Sequence, residues 1–144
     1  MRIEKMDLAD LEDVTSLADQ LGYPSSTEEI RTRFMRIQRT QNYGLFVAKS
    51  NGGKVIGYVQ INCEPETLLA GPRADVAALI VDANERGKGI GAALLRQAEH
   101  WAEQNKLPLI RIRSNIKRTD AHRFYQNKGY VINKSSHILT KSIA

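Results

Sequence analysis

The sequence predicts an α/β (α+β) domain, a mixed central sheet of about seven strands with four helices, in a single unit over residues 1–144. Three observations carry this expectation. Stretches with helical spacing of apolar residues interleave with short strand-like runs along the chain. The run from Val76 to Val81 is apolar on both faces, as a strand covered on two sides must be. That run breaks at Asp82 and enters a glycine-rich segment, Gly87, Gly89 and Gly91, which opens an amphipathic helix followed by another apolar run. Strand, helix and parallel strand form a βαβ unit.

In chain order, Arg2 to Met6 reads as a short edge strand. Leu8, Leu11, Val14, Leu17, Ala18 and Leu21 then recur at helical spacing, with Asp7 placed to cap and Gly22 to terminate. After the connector Tyr23–Pro24, Ser26 with Glu29 makes a capping box for a second helix through Ile30, Phe34, Met35 and Ile37. Gly44 to Lys49 and Val55 to Cys63 are strand-like and joined by Ser50, Asn51, Gly52 and Gly53, an Asn-Gly hairpin signal. Glu64 to Arg73, with Pro65, Pro72 and the apolar pair Leu68 and Leu69, is a loop of the kind that borders binding sites.

The third helix runs from about Gly89 to Asn105, its stripe being Ile90, Leu94, Leu95, Ala98, Trp101 and Ala102. Pro108 ends the connector, and Leu109, Ile110 and Ile112 make the returning strand. Beyond a polar, basic stretch, Thr119 or Asp120 can cap a short helix through Phe124 and Tyr125 that Gly129 ends. Tyr130 to Asn133 and His137 to Lys141 read as a closing antiparallel pair, which could pair across a homodimer.

No apolar run reaches the roughly 20 residues a membrane-spanning helix needs. The N-terminal segment alternates charge where a signal peptide would be apolar, so no membrane association and a cytoplasmic location are expected. The single cysteine, Cys63, forms no internal disulfide, and the three histidines show no ligand spacing, so no metal site is expected. The formal charge of +5 is uneven, with acids concentrated in the first third and bases after Lys106. The cluster from Arg111 to Arg123 should face something anionic, the bland alternative being a solvated basic surface.

The glycine-rich segment has a direct chemical reading. The first N–H groups of a helix lack intrahelical partners and the peptide dipoles add positive charge there. Glycines admit an anion close to the backbone, so a phosphate or pyrophosphate is expected, with Arg86 and Lys88 as further cations. A P-loop fails, because Asp82 stands where its first glycine belongs and Gly89 where its serine or threonine belongs. The relaxed dinucleotide fingerprint is met by Gly87, Gly89 and Ala92, but about 20 residues on it finds Arg111 and Arg113 instead of an acid.

The pattern Arg86-x-x-Gly89-x-Gly91 after a Leu79-x-Val81 strand end resembles the acyl-CoA motif of the GCN5-related N-acetyltransferase (GNAT) superfamily. The element order over nearly the whole chain is similar to that family's. The segment Asn115 to Tyr125, followed by Gly129 and Tyr130, resembles the family's second signature, and its residues are similar to the matching end of aminoalkylphosphonate N-acetyltransferases.

That resemblance implies direct transfer of an acetyl group from acetyl-CoA to the primary amine of a small molecule, with splayed central parallel strands. The pyrophosphate would lie on Arg86, Gly87, Lys88, Gly89, Ile90, Gly91 and Ala92, and the pantetheine arm along Leu79, Ile80 and Val81 and against Asn115 and Phe124. Tyr125 would be the general acid, the plainer alternative being a ring packed on Phe124. Asp75 falls where many members carry a glutamate base, although a carboxylate at a strand start is often a solvated or capping group. Tyr23 would line the amine pocket, or else be a core ring. A lysine-like amine with pKa about 10.4 is neutral in roughly one molecule in 2,500 at pH 7, about 4.6 kcal/mol unless the site assists. Rival readings are a protein or peptide amine as acceptor, a non-catalytic CoA sensor, and a basic nucleic-acid-binding module. The last lacks aromatics interleaved with its cations, so no nucleic-acid partner is expected.

Overall fold

The computed structural model describes residues 1–114 and 117–144. It comprises β1 (Arg2–Lys5), α1 (Leu11–Gln20), α2 (Thr27–Gln38), β2 (Tyr43–Lys49), β3 (Val55–Glu64), β4 (Arg73–Val81), α3 (Ile90–Gln104), β5 (Ile110–Ile112) and α4 (Thr119–Asn127). Two compact units result, Met1–Ile112 and Arg113–Ala144.

In the first unit, five strands form one mixed sheet in the order β1-β2-β3-β4-β5. All neighbours are antiparallel except β4 and β5, which run parallel across α3 as the βαβ reading required. Each face carries its own core. Leu11, Val14 and Leu17 of α1 and Phe34 of α2 pack with Val47, Tyr58 and Ile80. Leu94, Ala98 and Trp101 of α3 pack with Phe46, Val59, Ile61 and Val76 on the other face. Gly44 lets α3 come this close, since a Cβ there would lie 2.8 Å from Trp101 Nε1.

Local signals set most boundaries. Ser26 and Glu29 form the reciprocal capping box of α2. Asp7, however, caps a 3-10 turn over Leu8–Asp10, so α1 begins later than the periodicity suggests. Asp10 is buried there, its carboxylate accepting from the Asp7 N–H and pairing with Lys49. The hairpin turn places its left-handed residue at Gly53, φ 86°, one position past the Asn-Gly pair. Met35 faces solvent although its spacing placed it in the core.

Among the described residues the sheet has five strands, not about seven. Among the described residues neither Tyr130–Asn133 nor His137–Lys141 forms a ladder, and Val131, Ile132, Ile138 and Leu139 are exposed. Two short strands without a covered face are at best marginally stable, so β-propensity alone does not form the pair. No helix among the described residues is long and apolar enough to cross a membrane.

Two irregularities shape β4. The β3–β4 register shifts between Gln60 and Ile61, which face Ala78 and Val76, leaving Ala77 as the extra residue of a bulge. The parallel ladder with β5 covers only Ala74 to Val76. Beyond it, the β5-side edge of β4 has no ladder partner among the described residues.

Candidate functional site

The glycine-rich segment leaves β4 under tight local control. The Asp82 N–H donates to Ile56 O at 2.9 Å, fixing the strand end. The buried Asp82 carboxylate accepts from the Asn84 N–H, shaping the short 3-10 turn Ala83–Glu85. The Ala83 N–H donates to Gln20 Oε1, tying the turn to α1. The expected cations are already engaged: Lys88 pairs with Glu85 at 2.7 Å, and Arg86 Nε reaches Val81 O at 3.4 Å.

Gly89 is the N-cap of α3 in the left-handed region, φ 81°, and offers no side-chain cap; the first turn holds no acid. Gly87 is also left-handed, φ 79°, and at neither glycine would a Cβ meet any atom within 4 Å. The result is an open cradle at an uncapped helix start, held in place by the buried side chains of Ile90, Leu94 and Leu95. Backbone N–H groups at Ile90, Gly91 and Ala92 therefore lack the usual capping oxygen, which fits a phosphate or pyrophosphate. Leu79, Ile80 and Val81 pair with Val59, Tyr58 and Gly57 on one edge of β4. Their opposite edge lies in the stretch beyond the β5 ladder.

Asp75 lies in β4 just before the bulge and is only 7% exposed. Its Oδ1 accepts from Arg111 Nε at 3.1 Å. Asn62, Asp75 and Arg111 occupy directly paired positions across β3, β4 and β5, so they share a sheet face. This Arg111–Asp75 pair went unread in the sequence, which placed Arg111 in a diffuse basic cluster. Its flanking residues carried the signal: Ile110 and Ile112 pack on the α3 side, so Arg111 projects from the other face. Tyr23 is 70% exposed, which removes its core-ring reading, and Leu68 and Leu69 are fully exposed.

In the second unit, α4 carries the remaining expected residues. Its N-cap is Arg118, without a side-chain cap, so neither Thr119 nor Asp120 caps it as expected; both lie inside the helix. Gly129 ends it with φ 92°. Phe124 and Tyr125 are half-buried, their rings edge to face at 5.4 Å, and Tyr125 meets Tyr130 at 6.1 Å. Burial raises the Tyr125 phenol above its ordinary value, partly offset by Arg118. Asn115, expected on the pantetheine arm, lies outside the described residues. No group of three potential metal ligands occurs among the described residues.

A family model described as the acetyltransferase (GNAT) family matches residues 9–130. Aminoalkylphosphonate N-acetyltransferase of Salmonella typhimurium is 37% identical over 92 residues, 63% of this chain and 58% of that relative. The matched stretch thus spans less than two thirds of that curated relative's length. A transcriptional regulator from Bacillus halodurans superposes with TM-score 0.86 and 26% identity, over 97% of this chain and 99% of that one. The apo aminoglycoside antibiotic 6'-N-acetyltransferase from Acinetobacter haemolyticus shares the fold, with TM-score 0.85 and 19% identity over 100% of both chains.

Proposed function

The chain belongs to the GNAT acetyltransferase family, and we propose that it transfers an acetyl group from acetyl-CoA directly to a primary amine of a small molecule in a ternary complex. The observation that carries this reading is the open, uncapped α3 start at Gly87 and Gly89, fed by a strand whose β5-side edge beyond Val76 has no ladder partner among the described residues. The match to a Salmonella enzyme acting on aminoalkylphosphonates favours a small amine over a protein. The family match runs from the first compact unit into the second, over residues 9–130, which supports treating residues 1–144 as one acetyltransferase domain.

In this mechanism the N–H groups from Arg86 to Ala92 bind the pyrophosphate and the β5-side edge of Leu79 to Val81, which has no ladder partner among the described residues, takes the pantetheine amides; the family resemblance assigns Asn115 and Phe124 to the same arm. Bound acetyl-CoA supplies an activated thioester. A backbone N–H near Ile80 stabilises charge developing on the carbonyl oxygen. The amine nitrogen forms the new C–N bond as the C–S bond breaks. Asp75 accepts the amine proton, directly or through water, and Tyr125 donates a proton to the departing sulfur. Tyr23, exposed after α1, lines the acceptor side.

Ligand-dependent melting tests the cofactor assignment. Acetyl-CoA at a hundred times its Kd should stabilise the protein by about 2.7 kcal/mol, a rise of several degrees in Tm, and NADPH should produce none. Equal stabilisation by both, or by neither, would remove acetyl-CoA from the site.

A further inference from the structure

Resting on the acetyl-transfer reading above, we propose that the acceptor amine carries an anionic group on a short linker, and that Arg111, with Arg73 beside it, is the specificity-determining site that receives it.

Strand parity sets the two faces of β4 and β5. Ala74 and Val76 of β4 pack into the α3-side core together with Ile110 and Ile112 of β5. Arg73, Asp75 and Arg111 therefore stand on the opposite face, where Asn62 joins them from β3. Among the described residues, the one ion pair on this face of β4 and β5 joins Arg111 Nε to Asp75 Oδ1, at 3.1 Å. Two guanidinium nitrogens on adjacent strands, Arg73 Nε and Arg111 Nη2, are buried and have no hydrogen-bond partner among the described residues. Glu64 faces Arg73 in the register, yet no ion pair joins them among the described residues.

Buried polar groups are nearly always hydrogen-bonded, so two orphaned cationic donors on one face call for an acceptor. A carboxylate, sulfonate or phosphonate supplies several acceptor oxygens, and the planar guanidinium fork is matched to them. Asp75 touches Arg111, so an ammonium or amine held by Asp75 and an anion held by Arg111 must be separated by a short chain. An aminoalkyl acid of low molecular weight meets this demand; a neutral amine leaves the donors unpaired.

Steady-state kinetics on the full chain test the proposal, using aminoethylphosphonate, taurine and β-alanine against ethanolamine and propylamine, with aminohexanoate as the long-linker control. Wild type should favour at least one short anionic acceptor over its neutral counterpart by about tenfold or more in kcat/KM, and over aminohexanoate as well. Arg111→Gln should collapse that preference mainly through the acceptor KM, with Arg111→Lys retaining part of it. Melting shifts with methylphosphonate read the anion site without turnover: stabilisation is expected in wild type and should shrink in Arg111→Gln and Arg73→Gln. Acetyl-CoA-dependent stabilisation serves as the folding control, and if Arg111→Gln does not fold, Arg73→Gln and Arg111→Lys decide. No preference in wild type, or a preference unchanged in folded variants, would overturn the anion site. Absent acetyl transfer with methylphosphonate stabilisation intact would overturn the transfer reading instead.

Discussion

Tyr125→Phe should lower kcat for acetyl transfer by about a hundredfold, within the span of general acid catalysis, while acetyl-CoA should still raise the melting temperature. The substitution keeps the ring that packs edge to face on Phe124 and Tyr130 and removes only the hydroxyl. Packing is thus preserved and the donor is lost, which separates a chemical role from a structural one. The wild-type pH profile provides an independent check. A phenol donates only while protonated, and burial raises this one above the ordinary value of about 10. Activity limited by Tyr125 should therefore persist at neutral pH and fall only at alkaline pH above that ordinary value; the variant should lack this limb. A kcat for Tyr125→Phe equal to wild type would exclude the general-acid role.

Gly89→Val should weaken acetyl-CoA binding by at least about tenfold, seen as a raised KM for acetyl-CoA. Two causes act together. A β-branched residue is strained at φ 81°, at about 1–3 kcal/mol for a non-glycine in this region. Its side chain would also enter the open space beside the uncapped helix start, where no protein atom lies within 4 Å of a Cβ and where the pyrophosphate should sit. Gly53→Val is the matched control, because Gly53 has φ 86° and equally open surroundings but lies in the β2–β3 turn. Both variants should lose stability, and only Gly89→Val should lose acetyl-CoA affinity. Equal KM values for acetyl-CoA in the two would remove the helix start as the pyrophosphate site.

The sequence was most informative where structure is local. Ser26 and Glu29 satisfy each other's neighbouring N–H groups within one turn, so the start of α2 follows from four adjacent residues. The six apolar residues of α3 predicted as its buried stripe are the six that are buried. It was least informative where a distant partner decides. Asp10 looks like an ordinary helix residue, but its pairing with Lys49 and the Asp7 N–H holds a 3-10 turn where α1 was expected to begin. The bulge at Ala77 depends on register with β3, which no single strand encodes. The closing strands have suitable β-formers but no pairing in the described structure, since a strand is stable only against a neighbour. The site divides the same way: the glycine cradle was readable as a motif, whereas the Asp75–Arg111 pair joins residues far apart in sequence.

Acetyl transfer itself is the most direct test. Purified protein is incubated with acetyl-CoA and a panel of aminoalkylphosphonates, polyamines, aminoglycosides, amino acids and peptides, while thiol release is followed and the acceptors are weighed by mass spectrometry. The expected result is CoA thiol released in step with one acetyl group gained by a small primary amine. Stabilisation by acetyl-CoA without thiol release on any acceptor would contradict catalysis and make the protein a CoA sensor.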